Sequence, residues 1–116
     1  PPAQFMLLYG RRRVGKTFLL QHFCHKEKNT SHLYYLADQS TSQSQRRSFA
    51  EQATATFPSK GVAVDDIAVS WNALFRYLSQ EISKHGKKER FILIIDEFPY
   101  LVAQTPELPS LLQAWW

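Results

Sequence analysis

Residues 5–20 read FMLLYGRRRVGKTFLL, and this stretch decides the fold. Its apolar run at residues 5–9 is short and continuous, as expected of a β-strand that is buried on both faces. A glycine-containing loop follows at residues 10–17. After this loop, apolar side chains share one face of a predicted helix: Leu19, Leu20, Phe23 and Cys24. The stretch therefore predicts a strand, a glycine-rich loop and a helix, in that order.

The loop at residues 10–17 (GRRRVGKT) matches G-x-x-x-x-G-K-[ST], the pattern of a phosphate-binding P-loop. Its glycines let the backbone curl around an anion, and the following helix directs the positive end of its dipole at the same place. Lys16 would add a charge for the β- and γ-phosphates, and Thr17 a hydroxyl for Mg²⁺. The predicted nucleotide-binding residues are Gly10, Arg11, Arg12, Arg13, Val14, Gly15, Lys16, Thr17 and Phe18.

A second motif lies at residues 91–97 (FILIIDE). Its apolar part predicts a third buried strand, which would deliver Asp96 to the carboxyl edge of the sheet, where open α/β sheets bind ligands. A carboxylate at this edge can hold Mg²⁺ through water, beside Thr17. Glu97 would then be placed to polarise an attacking water. This motif is weak alone and becomes informative because a P-loop precedes it.

The segment between the two motifs contains one more predicted strand. A buried strand is predicted at residues 32–37 (HLYYLA), and a helix at residues 42–57 that Pro58 ends. Residues 60–69 are predicted to form a loop.

The clearest amphipathic helix follows Ser70, a good N-cap, and ends with Lys84 in its last turn and Gly86 as C-cap. A final helix is predicted with Thr105 as N-cap and Pro106 as its first residue. The apolar stripe of the amphipathic helix is interpreted as core, not as a base-stacking platform: Trp71, Leu74, Phe75, Leu78 and Ile82.

Strands thus alternate with helices, and the strands are apolar runs without polar alternation. This pattern predicts an α/β fold with a parallel sheet and helices on both faces. Only three strands are recognisable. The length of 116 residues allows one domain, not two.

The two motifs together resemble the ASCE branch of the P-loop NTPases. More narrowly, residues 9–20 (YGRRRVGKTFLL) and 94–101 (IIDEFPYL) resemble the archaeal-type ATPase family, which lies near the AAA+ and STAND ATPases. The resemblance covers nearly the whole chain. It implies ATP and Mg²⁺ as ligands. It also implies Lys16 and Glu97 as catalytic residues, and Thr17 and Asp96 as the residues that hold the metal and its waters. In this reading Glu97 is the general base.

The family pattern also has parts that this chain does not show. It implies five strands, with the fourth between the P-loop strand and the strand of the second motif, and a sensor residue, an arginine finger and a helical lid. These parts would lie after Trp116, so the resemblance implies that residues 1–116 are the N-terminal portion of a single P-loop ATPase domain. The isolated chain is therefore expected to be inactive.

Composition excludes several other classes of protein. The chain carries 14 Lys+Arg and 10 Asp+Glu, a net charge of +4. The single Cys24 excludes a disulfide framework, and no apolar run approaches the ~18 residues of a membrane span. With no secretion signal at its start, a soluble cytoplasmic protein without a membrane partner is expected. Basic clusters at residues 11–13 and 84–90 permit contact with nucleic acid without requiring it.

Two further groups of residues could bind metal, and neither is interpreted as a site. His22 and His25 share a helix face while Cys24 points elsewhere, which is too few ligands for zinc. Asp65 and Asp66 are interpreted as part of a loop that precedes a helix.

The sequence therefore predicts ATP binding and Mg²⁺-dependent hydrolysis. Two alternatives remain open: a nucleotide-dependent switch or DNA-associated module with little turnover, and an inactive truncation. A kinase is a weaker competitor because nothing marks a site for an acceptor substrate.

Overall fold

The computed structural model describes residues 5–10, 30–57, 61–84 and 90–115. Three strands and five helices lie in this part of the chain. In chain order they are β1 (Phe5–Gly10), β2 (Thr30–Leu36), α1 (Ser42–Thr56), α2 (Val64–Ile67), α3 (Trp71–Lys84), β3 (Arg90–Asp96), α4 (Phe98–Gln104) and α5 (Leu108–Trp115). Among these described residues, no helix has both the length and the apolar composition that crossing a bilayer requires.

The strands form one parallel sheet in the order β1-β3-β2. The central strand β3 buries every side chain from Phe91 to Asp96, on both faces of the sheet. This is the burial that the continuous apolar run FILII predicts, and it confirms the α/β class.

β1 pairs directly with β3, from Phe5 opposite Phe91 to Gly10 opposite Asp96. The family pattern places a fourth strand between these two, but within the described ranges none separates them. Their six successive residue pairs make them hydrogen-bonded neighbours. The described sheet is thus the three-stranded one that the sequence predicts.

β2 differs from its prediction as a strand buried on both faces. Leu33 and Tyr35 are buried, whereas His32 is exposed and Leu36 is 44% exposed. Successive side chains of a strand point to opposite faces, so one face of β2 packs on the core and the other does not. The prediction was wrong for His32 and Leu36, because an apolar sequence such as HLYYLA does not reveal how much of each strand face the rest of the fold covers.

One apolar cluster joins the helices to a single face of the sheet, which carries Leu33 and Tyr35 of β2 and the odd-numbered side chains of β3. Phe49 of α1 lies at its centre and is fully buried. The Phe49 ring meets those of Tyr35, Trp71 and Phe75 edge to face, at centroid distances of 5.3, 5.4 and 6.2 Å. Trp71 and Phe75 are therefore core residues, as predicted.

Two helices begin where the sequence predicts them. At the start of α1, the Thr41 hydroxyl accepts a hydrogen bond from the backbone N–H of Ser44 at 3.2 Å. At the start of α3, the Ser70 hydroxyl accepts one from the N–H of Ala73 at 3.0 Å. Lys84 lies in the last turn of α3, and the predicted C-cap Gly86 lies outside the described residues.

The predicted start of the last helix is wrong. Thr105 is not an N-cap, because its N–H bonds the Leu101 carbonyl at 2.8 Å and so closes the preceding helix α4. Pro106 lies in the turn that follows, and α5 begins at Leu108. The sequence analysis also missed α4 itself and the four-residue helix α2, which interrupts the predicted loop at residues 60–69.

Candidate active site

The carboxyl ends of all three strands meet at one line across the sheet. Asp96 at the end of β3 is opposite Gly10 of β1 on one side and opposite Leu36 of β2 on the other. Neighbouring strands lie about 4.8 Å apart. The first residue of the predicted phosphate loop therefore lies beside the carboxylate-bearing residue of the second motif.

Asp96 is almost completely buried, with 1% of its surface exposed. The Tyr34 hydroxyl donates a hydrogen bond to Asp96 Oδ2 at 2.5 Å, and the backbone N–H of Glu97 donates one to Oδ1 at 3.0 Å. Both carboxylate oxygens thus accept hydrogen bonds, which fix the side-chain torsions. The result is an oriented carboxylate at the ligand-binding edge of the sheet.

Register explains how Tyr34 reaches Asp96 across two strands. In a parallel pair, residues opposite each other point to the same face, and Tyr34 is opposite Ile94. Asp96 is two residues beyond Ile94 and shares its face. This face is opposite the one that carries Leu93 and the apolar cluster. A tyrosine is long enough to span the diagonal between the two strands.

Glu97 connects the strand to helix α4 in an unusual backbone conformation. Its φ of 57° and ψ of 41° lie in the left-handed region, and among the described residues it is the sole residue other than glycine with a positive φ. Its carbonyl accepts the N–H of Tyr100 at 3.0 Å and so begins the first turn of α4. The chain changes direction sharply at this residue, and the Glu97 side chain is partly exposed.

Of the predicted site residues, the structure describes Gly10, Asp96 and Glu97. Gly10 is described as backbone, and residues 11–18, with Lys16 and Thr17 among them, lie outside the described ranges. The same holds for His22, Cys24 and His25. The structure therefore places the first residue of the predicted phosphate loop beside Asp96.

The acidic pair at Asp65 and Asp66 has local structural partners. Asp65 forms an ion pair with Arg47 at 2.7 Å, and an Asp66 oxygen accepts the N–H of Ala63 at 3.4 Å. Within the described ranges, no group of three or more histidine, cysteine or acidic residues could hold a metal ion. Both residues lie inside helix α2 and not in the loop that the sequence analysis predicts for them.

Sequence reasoning missed Tyr34. Its signal was its position in HLYYLA, since the residue two before the end of a strand shares a face with the strand end. That signal becomes usable once β2 and β3 are known to be neighbours in register. A periodicity argument on one strand does not supply that information.

Asp96 suits a role toward Mg²⁺. Magnesium prefers oxygen ligands and keeps several of its waters, so one oriented carboxylate is a sufficient contribution from this strand. The donor chemistry therefore fits the ion that the sequence implies.

Comparison with known proteins identifies the family of the chain. A family model described as an ATPase domain predominantly from Archaea matches residues 1–116. An uncharacterized protein of Methanocaldococcus jannaschii is 34% identical over 110 residues, which are 95% of this chain and 20% of that relative. This chain thus spans about a fifth of the length of its curated relative. No solved structure matches the chain significantly. The family model covers the whole chain, and the chain belongs to the family of ATPase domains found predominantly in Archaea.

Proposed function

We propose that the full-length protein binds ATP with Mg²⁺ and hydrolyses it, using the loop at residues 10–17 and the acidic pair at the end of β3. The observation that carries this proposal is the pairing of Gly10 with Asp96. A loop that leaves β1 at Gly10 starts within one strand spacing of a buried, oriented carboxylate. Family membership supports the nucleotide, and the strand register supports the geometry.

Each residue has a distinct role in this proposal. Backbone N–H groups of residues 10–17 and the Lys16 ammonium would bind the phosphates, with Phe18 in the first turn of the following helix. Thr17 and Asp96 would orient the magnesium ion and its waters. Bound Mg²⁺ would supply neutralisation of charge on the phosphate oxygens. Catalysis of phosphoryl transfer depends mostly on such placement of charge.

Glu97 would accept the proton of the attacking water. Its carboxylate follows Asp96 directly, so both acids reach the same edge of the sheet from one strand end. Its left-handed backbone supports a functional role, because a residue other than glycine rarely stays in this conformation unless something selects it. Glycine would occupy the position at lower energy, yet it would offer no base.

The test separates binding from turnover in the full-length protein. Lys16→Ala removes a phosphate contact and should abolish ATP binding, measured by isothermal titration. Glu97→Gln keeps the shape of the side chain without a base. It should leave ATP affinity unchanged and lower the rate of phosphate release by about 10² to 10⁴-fold.

Glu107→Gln is the matched control, since Glu107 is an exposed glutamate in the turn before α5. It should hydrolyse ATP at the parent rate. A Glu97→Gln protein that released phosphate as fast as Glu107→Gln would show that Glu97 is not the base. Unchanged ATP affinity in Lys16→Ala would refute the P-loop assignment itself.

A further inference from the structure

The Tyr34 hydroxyl contacts the Asp96 carboxylate, the proposed magnesium-binding group, from a distant part of the chain. It joins residues 62 positions apart and links β2 to the end of β3 at 2.5 Å. The β2 segment otherwise contributes no residue to the proposed chemistry. This hydrogen bond is short, and the carboxylate that accepts it is 1% exposed.

Two roles are distinguishable for this hydroxyl. It could merely hold β2 against β3, in which case its loss would lower stability and leave the metal site unchanged. It could instead set the orientation of the carboxylate. The strands are already joined by their backbone pairing along residues 30–36, so the sheet has no evident need for an additional side-chain bond.

The chemistry of the two donors favours orientation. The phenol and the backbone N–H are both neutral, so these bonds fix the carboxylate oxygens without adding a positive charge beside them. A lysine or arginine at the Tyr34 position would fix the same oxygens but compete electrostatically with a dication. Partners of this kind, which orient a metal-associated group, commonly change metal affinity when removed.

We infer that Tyr34 is a positioning residue for Mg²⁺: through its hydrogen bond to Oδ2 it holds the Asp96 carboxylate in the orientation that accepts the waters of the ion. This inference rests on the proposed function and deepens it. In this proposal Tyr34 acts on the ion through Asp96.

The neighbouring residue Tyr35 provides a matched control. Its side chain points to the opposite face of β2, and its hydroxyl donates to the Gln45 carbonyl at 3.2 Å inside the apolar cluster. Tyr34→Phe and Tyr35→Phe therefore each remove one hydroxyl, with its hydrogen bonding, from adjacent positions. Only the first removes a contact on the carboxylate.

The experiment measures Mg²⁺ without relying on turnover. Thermal melts of the full-length protein with saturating adenylyl imidodiphosphate are recorded along a Mg²⁺ titration, and the midpoint concentration is read. Tyr34→Phe should raise this midpoint roughly tenfold. Its affinity for ATP in excess chelator should equal that of the parent. Tyr35→Phe should melt at a lower temperature than the parent and keep the parent Mg²⁺ midpoint.

A kinetic measurement adds a second readout. Tyr34→Phe should lower kcat at limiting Mg²⁺, regain much of it at high Mg²⁺, and leave KM for ATP near the parent value. A parental Mg²⁺ midpoint in Tyr34→Phe, or an equal shift in Tyr35→Phe, would overturn the inference. Lys16→Ala is included to separate the two proposals: if it still binds ATP, the proposed function fails and this inference fails with it. If Lys16→Ala loses ATP and Tyr34→Phe titrates like the parent, only the role of Tyr34 is wrong.

Discussion

At the scale of single residues, Glu97 has a backbone conformation that costs stability at the position of the proposed base. Its φ of 57° places a residue with a Cβ in the left-handed region, which costs roughly 1–2 kcal/mol relative to a right-handed conformation. Glycine adopts this region freely but has more freedom to lose on folding. The free-energy cost of the strained glutamate is therefore somewhat larger than the extra conformational entropy that a glycine would lose on folding.

Glu97→Gly should raise the free energy of unfolding by up to about 1 kcal/mol while it removes the proposed base. Urea unfolding measures the first effect and phosphate release the second. Gln80→Gly, at an exposed position inside α3, is the control and should lower stability by about 1 kcal/mol. Equal losses in the two variants would show that no strain is stored at Glu97.

The raised pKa of the buried Tyr35 phenol predicts a loss of stability at high pH. Burial, together with the negative charge of Asp38, raises the pKa of Tyr35 from 10.0 to about 12, against a smaller opposing hydrogen bond with Ser48. Between these pH values the unfolded chain releases the phenol proton and the folded chain retains it. Rising pH therefore favours unfolding, and the stabilising effect present below pH 10 is lost as pH approaches 12.

Between pH 9 and pH 11 this one group should remove about 1 kcal/mol of stability. Tyr35→Phe should show a smaller loss over that range in urea unfolding than the parent does. Burial, with the nearby Glu81, also raises the pKa of Tyr77, so Tyr77→Phe should deviate in the same direction. An identical pH dependence in parent and Tyr35→Phe would contradict the buried, protonated phenol.

At the scale of elements, the structure confirms Ser70 as the N-cap that the sequence predicts for α3. The Ser70 hydroxyl satisfies the N–H of Ala73, one of the donors that a helix start leaves unpaired. Ser70→Ala should lower the free energy of unfolding by about 1 kcal/mol. Ser83→Ala, at an exposed position on the same helix, should change it by less than about 0.5 kcal/mol in either direction. Chemical denaturation compares the two, and equal effects would exclude a capping role for Ser70.

Elements with strong local signals could be predicted, and those set by context could not. α3 has a capping serine and a long apolar stripe, and β3 has an uninterrupted apolar run, so both lie close to their predicted bounds. The seven-residue α4 is too short to show a periodic pattern. The sequence Thr105-Pro106 resembles a helix start, yet the Thr105 N–H closes the preceding helix and two turn residues separate Thr105 from α5. Local chemistry at Thr105 is compatible with both roles, and tertiary packing selects one.

At the scale of the whole molecule, the candidate site depends on strand order. The motifs themselves could be found from sequence because their residue types and spacing have direct chemical reasons. Their approach at Gly10 and Asp96 requires β1 and β3 to be neighbours, and the contact from Tyr34 requires β2 on the other side. Pairing between strands that are distant in sequence leaves little trace in either strand alone. Asp96 and Glu97 could therefore be predicted from the sequence, and Tyr34, the proposed positioning residue for Asp96, could not.

If the site binds ATP, the free energy of binding must appear as stability of the whole fold. At a free ATP concentration 100-fold above the Kd, with Mg²⁺ present, the full-length protein should gain about 2.7 kcal/mol in its free energy of unfolding. Lys16→Ala should show no gain. Lys84→Ala serves as the control, since Lys84 is an exposed cation paired with Glu81 at 3.7 Å and far from the motif in sequence. It should respond like the parent. Denaturant unfolding with and without ATP measures all three proteins, and a gain that persists in Lys16→Ala would place the nucleotide elsewhere on the molecule.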